Sequence, residues 1–392
     1  MFSIRTMNKI ATKGLETLPT ERFTIDDGAA DPDAILVRSA KLHDEKFSPN
    51  LKAIARAGAG VNNIPIERCS ENGIVVFNTP GANANSVKEL VIAGMLLASR
   101  GIHEGLVWVR ENARDGDLAA AVEKEKKRFA GIEIMGKTLG VVGLGAIGVM
   151  VSNAAAALGM RVIGFDPFIS IESAWGLSRS VERARSLEHL LGSSDFVTIH
   201  VPLNGDTKGM VGAEQIAAMK EGCRLLNFAR GGLVDESALL GALDSGRIAR
   251  YVTDFPNAEV AAHERVLAVP HLGASTDEAE ENCAVMAARQ LRDYLEQGTI
   301  TNSVNFPACQ LAPTDHQRIL IANRNIPNMV GQITTILANH SINILDLLNR
   351  HRGDLAYNII DIDGNLTAEA VEQLRAIEGV IFVRTIQPVL ES

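Results

Sequence analysis

The stretch TLGVVGLGAIGVMVSNAAAALGMRVIGFDP, Thr138 to Pro167, decides the fold class. An apolar, strand-like run leads into the pattern G-x-G-x-x-G, an alanine-rich helical segment follows, and a second apolar run ends on Asp166. Strand, tight turn, helix, strand and acid in this order are typical of a dinucleotide-binding βαβ unit, whereas the glycine pattern alone is a weak signal. We therefore predict a dinucleotide site, and the alternative is a βαβ unit without a ligand.

Each glycine of this loop has a separate predicted role. Gly143 permits the tight turn, Gly145 lets the backbone approach a pyrophosphate, and Gly148 lets the helix pack closely on the strand. Unpaired N–H groups at the start of the helix would bind the phosphates. Asp166 would accept hydrogen bonds from the adenosine ribose, and its charge would repel a 2′-phosphate, which favours NAD over NADP.

Composition predicts a soluble enzyme of two or three domains. The chain has 392 residues and a formal net charge of −9, with no broad basic face for nucleic acid. Its longest apolar run, Leu90 to Ala98, is too short to span a membrane. The four cysteines form no C-x-x-C pair, so neither a metal site nor a disulfide framework is expected. Residues 1–20 lack the apolar core of a signal peptide, which predicts a cytoplasmic location.

Apolar runs alternate with helical patterns, which predicts an α/β protein with parallel sheets covered by helices on both faces. We predict two doubly wound lobes: a discontinuous substrate-binding lobe, residues 1–88 and 274–302, and a Rossmann NAD-binding lobe, residues 89–273. Residues 303–316 are polar and contain prolines, which indicates a linker. The pattern βαββαβ then predicts a ferredoxin-like module over residues 317–392.

Two polar residues follow apolar runs at predicted carboxyl ends of strands, where ligands bind in open α/β sheets. Arg230 follows one run and His271 another, and imidazole suits proton transfer at neutral pH. Asp254 and Glu259 lie between them in sequence, and either carboxylate could orient the histidine and raise its pKa. The alternatives are an arginine on a surface turn and a structural histidine.

The chain resembles the D-isomer-specific 2-hydroxyacid dehydrogenases in motifs that run from ILVRSAKL through ARAGAGVNNI, VVFNTPGANANSVKEL, NFARGGLVDESAL and PHLGAST. Its C-terminal module resembles the ACT domains of those members that act on 3-phosphoglycerate. The resemblance implies a homodimer or homotetramer that oxidises 3-phospho-D-glycerate to 3-phosphohydroxypyruvate with NAD, the first step of L-serine biosynthesis. The alternatives are a dehydrogenase of glyoxylate, D-lactate or D-2-hydroxyglutarate, and a non-enzymatic NAD-sensing corepressor.

The resemblance also assigns roles to residues. Arg230 would hold the substrate carboxylate, His271 would be the acid/base, and Glu259 would orient the histidine. The segment after Glu259 is shorter than usual and lacks a proline, so Glu264 is the runner-up. The implied cofactor contacts are Gly143, Gly145, Ala146, Ile147, Gly148, Asp166, His200, Val201, Pro202, Phe228, Ala229, Asp254, Gly273 and Ala274. The implied substrate contacts are Arg38, Arg56, Gly58, Ala59, Gly60 and Asn78.

In the module, Asn325 and Asn343 match asparagines that contact L-serine in the related ACT domains. One asparagine offers both a donor and an acceptor to an amino acid, and we expect the two amides to converge at one end of the module. Asn323 replaces a histidine of those domains, and Asn328 replaces a glycine whose left-handed conformation asparagine tolerates. The resemblance implies inhibition by L-serine at a subunit interface; the alternative is a module that only pairs subunits.

Overall fold

The computed structural model describes residues 1–114 and 116–387, and the chain divides into two compact units. Met1–Ala82 and Glu280–Ser392 form the first unit, and Asn83–Ala279 forms the second. The predicted class is confirmed, because two parallel sheets and one antiparallel sheet are present. The finer division into lobes, linker and module stays a prediction, and residues 388–392 of the predicted module lie outside the described residues.

A five-stranded parallel sheet organises the first part of the first unit, in the order β2-β1-β3-β4-β5. Its elements are β1 (Phe2–Met7), α1 (Thr12–Leu15), β2 (Phe23–Ile25), β3 (Ala34–Val37), β4 (Ala53–Arg56), α2 (Ile66–Glu71) and β5 (Val75–Phe77). The three strands β3, β4 and β5 are almost wholly buried, as expected for parallel strands covered on both faces. Their carboxyl ends therefore share one edge of the sheet.

The second unit contains a seven-stranded sheet whose pairings are all parallel. Its helices and strands begin with α3 (Ala84–Ser99), α4 (Ile102–Asn112), α5 (Leu118–Glu125), β6 (Thr138–Val142), α6 (Ala146–Ala157), β7 (Arg161–Phe165), α7 (Ile171–Gly176), β8 (Val181–Arg183) and α8 (Leu187–Ser193). They continue with β9 (Phe196–Ile199), α9 (Ala213–Ala218), β10 (Cys223–Asn227), α10 (Glu236–Asp244), β11 (Ile248–Thr253), α11 (Ala258–Ala261), β12 (Val266–Ala268) and α12 (Asp277–Gln297), which runs on into the first unit.

The order of this sheet, β12-β11-β10-β9-β6-β7-β8, places the glycine loop at a topological switch point. The chain leaves β6 for β7 and β8 on one side, and later returns to β9 on the other side. Ligands of open α/β sheets bind beyond the carboxyl strand ends at such a point. The fold therefore puts the loop after β6 beside the residues that follow β7 and β9.

The C-terminal module is an antiparallel sheet in the order β14-β15-β13-β16. It consists of β13 (Gln317–Arg324), α13 (Met329–Asn339), β14 (Asn343–Arg352), β15 (Leu355–Asp363), α14 (Ala368–Arg375) and β16 (Val380–Ile386). One face of this sheet packs against α13 and α14, and residues of the other face pack in the core that α12 shares with the first sheet. Arg318 and Asp361 form a buried two-bond pair of 2.7 and 2.9 Å within the sheet.

The helix α13 of the module begins at Met329, directly after Asn328. Asn328 takes a left-handed conformation with φ 68°, which ends the extended chain before the helix can start. Asparagine therefore does adopt the geometry for which related domains use glycine.

Three further features of the described residues bear on function classes. No single helix in residues 1–114 and 116–387 is long and apolar enough to cross a membrane, although α3 and α4, bent by 70°, pass that test as a pair on length and composition. Within the same residues, no three acidic, histidine or cysteine side chains cluster as a metal site would require. All four cysteines are free and buried.

Candidate active site

The glycine loop combines two crowded positions with one open position. A Cβ on Gly143, whose φ is 90°, would lie 2.6 Å from the carbonyl oxygen of His200. A Cβ on Gly148 would lie 2.0 Å from the carbonyl oxygen of Gly143. A Cβ on Gly145 would meet no atom within 4 Å. Gly143 and Gly148 therefore permit close packing, whereas Gly145 borders open space at the start of α6.

The start of α6 suits an anionic group. Gly145 is its N-cap residue and no side chain caps the helix, so its first N–H groups have no side-chain acceptor. The helix dipole adds partial positive charge at this end. With the open approach over Gly145, these N–H groups fit the pyrophosphate of a dinucleotide.

Asp166 is held rigidly beside the same loop. It directly follows β7, and its Oδ2 accepts a hydrogen bond from the N–H of Leu144 at 2.8 Å. Its Oδ1 accepts from the N–H of Phe168, also at 2.8 Å. Each oxygen keeps acceptor capacity, so the carboxylate is oriented to receive hydroxyl donors. This geometry agrees with the predicted ribose contact.

The other predicted cofactor residues follow neighbouring strands. His200, Val201 and Pro202 follow β9, and Phe228 and Ala229 follow β10. The Nε2 atom of His200 lies 3.0 Å from Thr198 Oγ1, its Nδ1 is buried without a partner, and burial lowers its pKa to about 3. His200 is therefore neutral at physiological pH and is not a proton donor there.

A buried asparagine shapes the turn that carries Arg230, and sequence reasoning missed it. Asn227 is the last residue of β10, and its Nδ2 donates to the carbonyl oxygen of Arg230 at 2.9 Å. Its Oδ1 accepts from the N–H of Ala229 at 3.2 Å. The Arg230 side chain is exposed on this turn, with Nη1 2.7 Å from the Ala229 carbonyl. The available signal was a polar residue that ends the otherwise apolar run LLN.

Asp254 is the carboxylate that the structure brings together with His271 and Arg230. It is 2% exposed and its Oδ2 accepts from the N–H of Gly273 at 3.3 Å, while its buried Oδ1 has no partner among the described residues. Burial raises the pKa of Asp254, and the positive charges of His271 and Arg230 oppose that rise. The His271 ring also packs on Phe255, with 4.4 Å between ring centroids. An imidazole, a guanidinium and a buried carboxylate thus share one electrostatic environment.

Neither candidate glutamate contacts His271. Glu259 lies in the first turn of α11, is exposed, and forms no side-chain hydrogen bond or ion pair with any residue that the structure describes. Glu264 is exposed and lies 3.9 Å from Arg265 Nε. Ala274 is exposed beside the buried Gly273. The role of Glu259 stays a prediction, and Asp254 is the carboxylate whose pKa the charge of His271 lowers.

The predicted substrate residues lie together at the carboxyl edge of the first sheet. Arg38 follows β3 and pairs with Glu280. Arg56 ends β4, with Nε 3.0 Å from the Arg38 carbonyl and Nη1 3.0 Å from Asn62 Oδ1. Asn78 follows β5, and its Nδ2 donates to the Ala59 carbonyl at 2.6 Å. The Gly58–Gly60 loop is thereby held between the ends of β4 and β5.

The two effector amides do not converge within one module. Asn343 begins β14 opposite Asp363, whereas Asn325 follows β13 and its Nδ2 donates to the Gly353 carbonyl, in the β14–β15 turn, at 3.3 Å. Because β13 and β14 are both antiparallel to β15, they run in the same direction. The start of β14 and the end of β13 are therefore at opposite ends of a ten-residue strand, about 30 Å apart. The expected convergence is wrong for a single chain.

Comparisons with known proteins agree with this geometry. Residues 92–273 match the model of the D-isomer specific 2-hydroxyacid dehydrogenase NAD-binding domain. A D-3-phosphoglycerate dehydrogenase of Methanocaldococcus jannaschii is 37% identical over 341 residues, which cover 85% of this chain and 62% of that protein. The chain thus spans less than two thirds of this relative's length.

Several solved structures match with sequence identity above a quarter, and two of them are a 3-phosphoglycerate dehydrogenase and a glyoxylate reductase. The NAD+-bound 3-phosphoglycerate dehydrogenase of Entamoeba histolytica is 29% identical, with a TM-score of 0.59, over 78% of this chain and 98% of that one. A glyoxylate reductase from Paecilomyes thermophila is 26% identical, with a TM-score of 0.63, over 77% of this chain and 98% of that one. Both matches extend over nearly the whole of the solved chains.

Proposed function

We propose that this chain is a D-isomer-specific 2-hydroxyacid dehydrogenase that oxidises 3-phospho-D-glycerate to 3-phosphohydroxypyruvate with NAD, the first step of L-serine biosynthesis. The observation that carries the proposal is the grouping of Asp254, His271 and Arg230 in the unit that holds the glycine loop. The names of the relatives from Methanocaldococcus jannaschii and Entamoeba histolytica support the choice of substrate.

The proposed reaction needs a proton acceptor and stabilisation of developing charge. His271 would take the proton of the 2-hydroxyl group, and the buried charge of Asp254 favours the imidazolium that forms. Arg230 would bind the substrate carboxylate with its planar guanidinium and oppose the charge that develops on the 2-oxygen. NAD supplies the hydride acceptor when bound. The residues to hold it are the glycine loop at the phosphates, Asp166 at the ribose, and Asp254 at the nicotinamide amide.

We propose that Arg38 and Arg56 supply the cations for the substrate phosphate. Arg56 is oriented by contacts to the Arg38 carbonyl and to Asn62, which reduces the entropy lost when it binds an anion. Arg38 carries Glu280 as a partner, so a phosphate would have to displace or share that ion pair. A substrate without phosphate would gain little from either arginine.

One assay separates this function from its alternatives. NADH formation should be followed with 3-phosphoglycerate, D-lactate and D-2-hydroxyglutarate, and NADH consumption with glyoxylate. We expect the wild type to have its highest kcat/KM with 3-phosphoglycerate. The variant Arg56→Gln should have a higher KM for 3-phosphoglycerate than the wild type, and its activity on D-lactate should be unchanged. A preference for glyoxylate would favour the reductase alternative, and no turnover with any acid would favour a non-enzymatic NAD sensor.

We further propose that two copies pair through β14 and bind L-serine between them. β14 is an exposed edge strand, and antiparallel pairing of two such strands sets the start of one beside the end of the other. Asn343 of one copy would then approach the β14–β15 turn of the second copy, where Asn325 lies. Titration calorimetry with L-serine and sedimentation of the full chain test this arrangement. Calorimetry should show that Asn343→Ala no longer binds serine. Sedimentation of the wild type as a monomer would contradict the proposed pairing.

We also propose a cytoplasmic location. The four cysteines are free and buried, which suits a compartment that keeps thiols reduced. Cell fractionation with an antibody against the full chain measures it, and recovery outside the cytoplasmic fraction would contradict the proposal.

A further inference from the structure

A cavity of about 320 Å³ lies in the first unit, on elements that carry none of the predicted catalytic or substrate residues. Its walls come from the turn before β4, the turn after α2, the end of α12, and the module elements α14 and β16. The lining side chains include three cations, Lys52, Arg375 and Arg384, and none of the described lining residues is acidic. The cavity therefore presents positive charge where the module meets the lobe within one unit.

Arg384 forms no ion pair with any residue in 1–114 or 116–387. Its Nη2 donates to the Tyr294 carbonyl at 2.5 Å, and its guanidinium carbon lies 4.5 Å from the Tyr294 ring centroid. Its Nε and Nη1 are buried and donate to no atom of residues 1–114 or 116–387. A buried cationic donor without an acceptor is costly, so such groups normally have a partner. Arg318, on the adjacent strand, shows the usual solution, with two bonds to Asp361.

The two other cations of the cavity are already paired. Lys52 Nζ lies 2.5 Å from Asp33 Oδ1 and 2.8 Å from Asn50 Oδ1. Arg375 Nη1 lies 2.8 Å from Glu372 Oε1 on the same helix. Each of these two charges has an acidic partner, so Arg384 is the lining cation that has none among the residues that the structure describes.

We propose that this cavity binds a small anion, a phosphate- or carboxylate-bearing molecule, through the unpaired N–H groups of Arg384. Its volume is at the lower end of the range for ligand pockets, which suits a small molecule. A guanidinium matches both oxyanions because its planar donors meet paired oxygens. An anion here would contact both the module and the lobe that carries β4 and β5.

The test is calorimetric titration of the full chain, without NAD or substrate, with inorganic phosphate and separately with succinate, at constant ionic strength set by chloride. We expect saturable binding of at least one anion in the wild type, and binding about tenfold weaker or absent in Arg384→Gln. Arg289→Gln is the matched control, because Arg289 is exposed on α12 outside the cavity lining, and it should bind as the wild type does. Binding of phosphate alone or of succinate alone identifies the ligand class, and either supports the site.

A second variant keeps the test informative if Arg384→Gln does not fold. Asn72 is exposed at the cavity wall, and Asn72→Asp adds a negative charge there without removing Arg384. It should weaken anion binding by repulsion. Phosphate bound at the substrate arginines would survive in Arg384→Gln and be lost in Arg56→Gln, which separates the two sites. The proposal is overturned if the wild type binds neither anion, or if Arg384→Gln binds an anion as the wild type does. If Arg384→Gln does not fold, wild-type binding by Asn72→Asp overturns it instead.

Discussion

Gly145 and Gly148 should respond differently to alanine, although only two residues separate them. A methyl group on Gly148 would lie 2.0 Å from a backbone oxygen, which cannot rotate away as a side chain would. A methyl group on Gly145 would meet no protein atom within 4 Å, and its φ of −75° is accessible to alanine. We expect Gly148→Ala to damage the fold and Gly145→Ala to damage cofactor binding.

The magnitudes follow from these two environments. Overpacking costs about 1–3 kcal/mol, and the helix propensity of alanine returns up to about 1 kcal/mol at Gly148. A net loss of about 1–2 kcal/mol lowers Tm by roughly 2–8 °C for a unit of this size. At Gly145, alanine is a poorer N-cap than glycine by less than about 1 kcal/mol. Its methyl group would occupy the approach of the pyrophosphate, so we expect at least about tenfold weaker NAD binding, or roughly 1.4 kcal/mol.

Scanning calorimetry gives Tm, and titration calorimetry well below Tm gives the Kd for NAD. The two variants control for each other because both add one methyl group to the same loop. Gly145→Ala with a wild-type Kd would show that the phosphates do not lie over Gly145. Gly148→Ala with a wild-type Tm would show that the helix can move away from β6 at no cost.

Further variants test the residues around the loop. His271→Ala should lower kcat by about 10²–10⁴-fold and leave the Kd for NAD unchanged, and a variant that keeps most of its kcat would refute its role as the base. Asp254→Asn should lower kcat/KM by roughly tenfold or more, because it removes the buried negative charge beside His271 and Arg230; an unchanged kcat/KM contradicts this. Since burial holds the pKa of His200 near 3, the unfolded chain takes up its proton first as pH falls below about 6.5, and the free energy of unfolding should fall towards pH 3 by at most about 1.4 kcal/mol per pH unit. Tm measured against pH should fall less in His200→Gln. Asp361→Asn leaves Arg318 buried and should cost about 3–5 kcal/mol in denaturant unfolding, whereas less than about 1 kcal/mol would mean that the pair is hydrated.

The long buried strands were predictable because their apolar runs are continuous. The runs that became β6, β9 and β10 contain few polar residues, as strands covered on both faces do. The short edge strands β2 and β8, with the sequences FTI and VER, escaped prediction. One face of an edge strand is solvated and three residues are too few to show a period, so pairing with a neighbour decides their structure.

Within the candidate site, the sequence predicted which residues follow the ends of strands, but not which side chains lie close to one another. Arg230 and His271 were found because each directly follows an apolar run. Which acid serves His271 depends on how the loop after β11 folds. Asp254 is buried at the end of that strand, while Glu259 is carried outward on α11. A separation of a few residues in sequence does not distinguish these two directions.

The contrast between the parallel sheets and the module explains where such reasoning succeeds. In a parallel sheet every strand ends at the same edge, so residues that follow different strands, such as Asp166 and Arg230, are gathered without knowledge of strand order. In an antiparallel sheet, strand ends alternate between two edges, and the edge of each residue depends on the direction of its own strand. Asn325 directly follows one strand and Asn343 begins another that runs the same way, so they lie apart in one chain. Only a partner that reverses the direction of β14 can bring the two amides together, which makes a ligand between them dependent on assembly.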